Sequence, residues 1–297
     1  MKYIVAVDIG GTTFNAGLFS EKLNLVDITA KDKIRNYKNK KEIVAAIFQQ
    51  INFLIESNKL NKKDVLCLGV ASPGPIDVFN GKILDTLNLK SFRNYNLSKD
   101  FTECLGIPTF IQNDANLFAL GEWFSNYNKS KAFVGITIGT GFGVGLVFNE
   151  NIFKGAHGMA MEYGVSPFEW GICEDNISIR YIRKRSKEIY KNELSPRVVE
   201  EKCLENDANA ISIYNDFGEN LGMAISHIIN MVDPDVIAIG GGLSNAFKCF
   251  SKKMFTTIEK HSPSYSYNKI LITASLNKEK STMLGASIFA RNAMKNV

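Results

Sequence analysis

Residues 133–148 read FVGITIGTGFGVGLVF, with glycines at 139, 141, 143 and 145 between apolar flanks. Glycine weakens a strand interior, so another requirement must outweigh that cost. Close approach of main-chain N–H groups to an anion such as phosphate is such a requirement. Two common glycine signatures are excluded. The chain has no G-x-x-x-x-G-K-[ST] loop. A dinucleotide fingerprint opens a helix, whereas GTGFGVG runs into the β-type stretch LVF. A strand–turn–strand hairpin remains.

The same plan occurs near the start. VAVDIGGTTFNAGLF (5–19) and VGITIGTGFGVGLVF (134–148) share an apolar strand, Ile-Gly, a Gly/Thr mixture, Gly-Leu and a second apolar strand. This is a weak internal repeat with a period of about half the chain. The first copy adds Asp8 and the hydroxyls of Thr12 and Thr13; the second adds Thr137 and Thr140. Hydroxyls and amides suit phosphate oxygens. A carboxylate repels them unless a divalent cation intervenes, so Asp8 implies Mg2+, held partly through water. Either turn alone reads equally well as a plain glycine hairpin. Two of them, with IAIGGG at 237–242, make coincidence a poor account.

Around these turns, residues 2–8, 15–20 and the stretch near 25–31 read as three strands joined by hairpins. Ile43, Ile47, Ile51, Leu54 and Ile55 have helical spacing over 40–57. A strand at 65–72 enters a Pro/Gly loop. Residues 97–105 read as a helix with Ser98 as N-cap and Gly106 beyond its end, followed by a strand at 108–114 and a helix at 115–124. Phe217, Leu221, Ile225, Ile228 and Ile229 stripe a helix over 215–233 that Pro234 stops. A strand at 235–242, a helix after it and a last helix with Ser281 as cap complete the pattern. The expected architecture is α/β, in two halves sharing a cleft: 1–112 plus 279–297, and 113–278.

Composition narrows the function classes. The 297 residues are 45% hydrophobic and 22% charged, ordinary for a soluble globular protein. The net charge of +5 comes from scattered lysines; the run Lys38, Lys40, Lys41 reads as a solvated face rather than a nucleic-acid patch. The five cysteines are dispersed and odd in number, which argues against a disulfide framework and for reduced thiols in the cytoplasm. Asp8 interrupts the first apolar run, so no signal peptide is expected, and no run reaches the ~18 apolar residues of a membrane span.

DIGGTTFNAGLF, ASPGPID, LDTLNL, QNDANLFALGEW, GTGFGVG, GAHGMAMEYG and IGGGLS occur in this order over nearly the whole chain. Together they resemble the ROK sugar kinases of the hexokinase–actin superfamily. The resemblance implies a two-lobed actin-like ATPase fold, a duplicated ribonuclease H-like plan, with ATP and sugar meeting in the interdomain cleft. It implies that Asp114 is the general base. Asn88, Asn113, Glu162 and Glu174 would bind sugar hydroxyls, with Gly74 contributing main chain. Gly10, Gly11, Thr12, Thr140 and Gly141 would hold phosphates, with Asp8 reaching Mg2+ through water, and Gly241 and Gly242 would lie near the adenosine. On local sequence alone, Asn113–Asp114 reads rather as a strand-ending turn with Asp114 capping the next helix.

The chain also departs from the family. Relatives carry a histidine after E-x-G and then C-x-C-G-x-x-G-C, which bind zinc. Here those positions read MEYGVSPFEWGICEDNIS, with Val165 at the histidine, Ile172 at the last cysteine and Cys173 one place late. One thiol and no histidine cannot build a tetrahedral site in this stretch, so no zinc is expected. His157, upstream, reads as an ordinary loop histidine. Met161 stands where glycine is usual, and Thr13 where lysine is common. The expected function is phosphorylation of the 6-hydroxyl of a hexose or N-acylhexosamine by ATP. N-acetylmannosamine is the first choice, with glucose or a β-glucoside next. A non-catalytic sugar-sensing regulator is the rival. A repressor's N-terminal helix-turn-helix is not expected, because the first turn begins at Asp8. No membrane or nucleic-acid partner is expected, and the resemblance implies a homodimer.

Overall fold

The computed structural model describes residues 1–86, 89–169, 171–277 and 280–295, so Asn88 lies outside the described residues. Strands β1 (Tyr3–Ile9), β2 (Thr13–Ser20), β3 (Leu25–Ile28) and β4 (Asp32–Lys33) precede helix α1 (Lys40–Ser57). Then come β5 (Val65–Ser72), the short β6 (Ile76–Asp77), β7 (Lys82–Ile83) and β8 (Tyr95–Asn96), α2 (Leu97–Leu105), β9 (Thr109–Asn113) and α3 (Asp114–Asn126). The chain continues with β10 (Ala132–Ile138), β11 (Phe142–Phe148), β12 (Asn151–Ile152), α4 (Cys173–Asn176), α5 (Ile179–Tyr190), α6 (Pro196–Leu204) and α7 (Ala208–Val232). It ends with β13 (Val236–Gly240), α8 (Phe247–His261), α9 (Pro263–Asn268), β14 (Leu271–Ala274) and α10 (Lys280–Met294). These elements form two units. One is Met1–Asn126 with Asn151–Ala160 and Glu279–Val297; the other is Tyr127–Glu150 with Met161–Lys278. The first unit thus takes in 113–126 and 151–160, residues that the sequence pattern assigns to the second half.

In the first unit the strand order is β3-β2-β1-β5-β9, with β4 also paired to β2. β1 and β2 are antiparallel and close at Ile9 opposite Phe14, whereas β5 and β9 run parallel to β1. Asn39 caps α1 by accepting the Glu42 N–H at 3.1 Å, and Ile43, Ile47, Ile51 and Leu54 face the core. Asn96, not Ser98, caps α2: its side-chain oxygen takes the Lys99 N–H at 3.1 Å, and Ser98 already lies inside the first turn. Gly106 ends that helix with φ 69°. Small residues bring α10 onto α3. A Cβ on Gly285 would overlap the Leu117 carbonyl, and one on Gly121 the Ser281 carbonyl. Ser281 is inside α10 rather than its cap; its hydroxyl donates to Glu122 at 2.5 Å. This packing fixes α3, whose first residue is Asp114.

The second unit repeats the plan, with β11-β10-β13-β14 in order. β10 and β11 are antiparallel and close at Ile138 opposite Phe142, and β13 and β14 run parallel to β10. α7 starts earlier than its apolar stripe indicates, because Asp207 caps it by accepting the Ala210 N–H at 2.9 Å. It ends at Asp233 in the left-handed region, just before Pro234. Phe217, Leu221, Ile225 and Ile229 on α7 are fully buried against the sheet. Among the described residues no helix is long and apolar enough to cross a membrane.

Candidate functional site

In the first unit the β1–β2 turn is pinned by Gly10 N–H donating to the Thr13 carbonyl at 2.8 Å. The amides of Gly11 and Thr12 have no acceptor among the described residues, and both residues are exposed. Parallel register puts Asp8 opposite Ala71 and Ser72 opposite Asn113. Asp8, the loop holding Gly74 and the Asn113–Asp114 pair therefore leave the sheet at one edge, the carboxyl ends of β1, β5 and β9. Parallel α/β sheets carry ligands at that edge. The Gly74–Pro75 peptide is cis. Asn113 performs the capping role that local sequence gives to Asp114. Its Oδ1 accepts the N–H groups of Ala115 at 2.9 Å and Asn116 at 3.2 Å. Asp114 begins the helix, half-buried at the positive end of its dipole, and its Oδ1 also accepts the Ala115 N–H at 2.8 Å. A cavity of about 500 Å³ opens at the turn, lined by Gly11, Thr12, Thr13, Lys33, Ile34 and Arg35.

In the second unit Gly139 N–H donates to the Gly141 carbonyl and Gly139 O accepts the Ile179 N–H, both at 2.9 Å. The amides of Thr140 and Gly141 have no acceptor among the described residues. Glu174, on α4, lies across this turn. Its Oε2 accepts the Phe142 N–H at 3.2 Å, and its other oxygen pairs with Arg180. A Cβ on Gly141 would stand 3.1 Å from the Glu174 carboxyl carbon, so glycine leaves room for that carboxylate. Glu162, exposed, precedes the helical turn Tyr163–Val165, which packs on Phe142: a Cβ on Gly164 would overlap the Phe142 carbonyl.

β13 leads into Gly241, with φ 82°; a Cβ there would lie 2.6 Å from the Ile138 nitrogen. Gly242 lies on the lip of a cavity of about 330 Å³ that Arg197, Glu200, Tyr214 and Asn245 also line. At the zinc-site positions Val165 is 58% exposed, and Cys173 is buried in the apolar core. Burial pushes the Cys173 thiol up to about 12. Among the described residues no three His, Cys, Asp or Glu side chains are placed to hold a metal ion.

The structure thus assembles Asp8, Gly10, Gly11, Thr12, Gly74, Asn113 and Asp114 at the sheet edge of one unit. It assembles Thr140, Gly141, Glu162, Glu174, Gly241 and Gly242 around the first hairpin of the other. Sequence reasoning misses Lys33, Arg35 and Arg180, because none of them stands in a glycine or carboxylate motif.

A sheet plan used twice, with a donor-bearing glycine turn on each leading hairpin, defines an actin-like ATPase fold. The ROK family model matches residues 4–293, and the chain belongs to that family. It is 31% identical over 281 residues to the N-acetyl-D-glucosamine kinase of Aliivibrio fischeri, covering 86% of this chain and 88% of that one. It is 28% identical to the glucokinase of Thermotoga maritima, over 82% and 83% of the two chains. The xylose repressor of Caldicellulosiruptor bescii matches at 24% identity over 84% of this chain and 68% of its own length. Among solved structures, a Streptomyces griseus ROK glucokinase with glucose and AMPPNP superposes with a TM-score of 0.82 at 21% identity, over 98% and 99% of the chains. A Listeria monocytogenes protein provisionally named an N-acetylmannosamine kinase also gives 0.82, at 22% identity over 99% and 100%.

Proposed function

We propose that the chain is an ATP-dependent carbohydrate kinase that phosphorylates the 6-hydroxyl of a hexose or N-acylhexosamine. The observation that carries this is the placement of Asp114 on the same sheet edge as the open amides of Gly11 and Thr12. Asp114 takes the proton from the 6-hydroxyl as that oxygen attacks the γ-phosphorus in line and the bond from that phosphorus to the β–γ bridging oxygen breaks, with ADP leaving. The cap commits the Asn113 oxygen, so its Nδ2 is the atom that donates to a sugar hydroxyl. Gly74, Asn88, Glu162 and Glu174 complete the sugar contacts; Glu174 must leave Phe142 or share it. Amides of Gly11, Thr12, Thr140 and Gly141 hold phosphate oxygens, Gly10 shapes the first phosphate turn through its own N–H bond to the Thr13 carbonyl, and Gly241 and Gly242 border the adenosine. Asp8 is a single carboxylate at the strand end, which suits a magnesium ion that keeps its waters and binds mainly to nucleotide oxygens. When bound, that ion neutralises charge developing on the β- and γ-phosphates.

N-acetylmannosamine is the first sugar to test. Its support is the overall motif resemblance and the fold shared with the Listeria protein. Glucose, N-acetylglucosamine and β-glucosides are the competitors. The test is ADP release with Mg2+, ATP and a panel of sugars. Asp114→Asn should lower kcat by about 10²–10⁴ while sugar still binds. Sugar binding without ADP release from any sugar would instead favour the regulator that the repressor relatives represent. A dimeric mass in sedimentation equilibrium is expected from the family resemblance.

A further inference from the structure

Beside the first glycine turn stands a charged feature that the kinase reading above does not use. β4 pairs with β2 so that Lys33 lies opposite Thr13 and Asp32 opposite Phe14. The Ile34 N–H donates to the Thr12 carbonyl at 2.9 Å. These bonds hold the turn at Ile34–Asn36 against the glycine turn, and Lys33, Ile34 and Arg35 line one cavity with Gly11, Thr12 and Thr13. No carboxylate is among the lining residues. The adjacent acid, Asp32, is occupied: it accepts the Tyr37 hydroxyl, the Asn36 amide at 3.1 Å and the Lys33 N–H at 2.7 Å. Among the described residues neither Lys33 nor Arg35 has an ion-pair partner.

Two cations without an ion-pair partner among the described residues, Lys33 and Arg35, therefore line one cavity with the hydroxyl-bearing Thr12 and Thr13 and the residues of the open amides, Gly11 and Thr12. Such a donor set fits a ligand with several anionic oxygens on successive centres. We infer that Lys33 and Arg35 bind the phosphate chain of the donor, and that this wall recognises oligophosphate rather than nucleoside. The inference rests on the kinase reading for the identity of the donor. The chemistry is shared by a nucleoside triphosphate and an inorganic oligophosphate.

Titration calorimetry on the full chain tests it, using AMPPNP with Mg2+, inorganic tripolyphosphate and adenosine as probes. The variants are Lys33→Met with Arg35→Met, and Lys33→Arg. In the double variant AMPPNP should bind about tenfold more weakly or worse, with adenosine unchanged and a shallower dependence on salt. Lys33→Arg should stay close to wild type. Unchanged AMPPNP affinity in the double variant overturns the inference; if ADP release from sugar persists, the kinase reading stands without it. Equal weakening of AMPPNP and adenosine also overturns it, because the damage is then general. Wild-type binding of tripolyphosphate but not AMPPNP, lost in the double variant, supports the wall and removes the nucleotide from the kinase reading.

Discussion

The two glycine turns share a hairpin but not their surroundings. The turn closed by Ile9 and Phe14 opens onto a cavity with Lys33 and Arg35 on its wall. The turn closed by Ile138 and Phe142 lies under the Glu174 carboxylate, which holds one amide and is itself balanced by Arg180. Among the described residues each turn leaves two neighbouring amides without acceptors. The repeat has therefore kept the main-chain donors and changed the charge placed over them. An anion arriving at the first turn gains attraction from unpaired cations. At the second it competes with a resident carboxylate for the Phe142 N–H.

Substitutions at the glycines break this contrast in order of size. Gly241→Ala should do most, because its φ of 82° is strained for alanine and the new methyl meets the Ile138 main chain, which cannot move aside. A loss of about 3 kcal/mol or more in denaturant unfolding is expected, and a loss under about 1 kcal/mol would contradict the close approach of the two strand ends. Gly141→Ala should fold, since its obstacle is the end of a flexible glutamate, but displace Glu174 from Phe142. The KM for ATP should fall by up to about tenfold, the scale of one charged hydrogen bond, because the anion no longer competes with the carboxylate for the Phe142 N–H. Gly10→Ala, with the Thr13 carbonyl 3.3 Å away, should shift KM by about two- to threefold. Gly139→Ala meets nothing within 4 Å and should leave it unchanged. A KM effect at Gly139 exceeding that at Gly141 would show that Glu174 does not govern the second turn.

Both hairpins, the strands that became β5, β9 and β13, and α1 were legible because their apolar periods and glycines act locally; the parallel direction of those strands, and β14, were not. Caps were less so: Asn96 replaces Ser98 because several residues near a helix start could reach an N3 amide, and only main-chain geometry selects one. α5 was not legible either: Ile179, Ile182 and Ile189 do form an apolar stripe against the core, but only Ile182 among them is fully buried, and the arginines and lysines between them make the stretch resemble a solvated segment. The first half of the candidate site follows from the motifs, since Asp8, Gly10 and Asn113–Asp114 end strands whose order is simple. Glu174 against Phe142 was not legible, because the contact joins residues 32 apart in sequence. Lys33 was hidden too: a two-residue strand gives no periodic signal, and only its register opposite Thr13 places it.

Each unit also contains one fully buried thiol, Cys67 on β5 and Cys173 at the start of α4, whereas Cys104 is exposed. Burial raises both buried thiols from 9.0 to about 12. Because the folded value is the higher one, their contribution is intact below pH ~9, where the unfolded thiol is still protonated. It is lost as pH climbs toward ~12, where only the unfolded chain ionises freely. Stability should therefore fall over that window, and less steeply in Cys67→Ala and Cys173→Ala than in wild type. The same thiols report on the two units separately. At pH 8 a thiol reagent should label Cys104 at once and the buried pair only through opening of their own unit. Gly141→Ala loosens the α4 contact through Glu174, so it should speed labelling of Cys173 by a few-fold and leave Cys67 at its wild-type rate. Equal acceleration at both thiols would mean that the second turn is not an independent element and that its disturbance opens the whole chain.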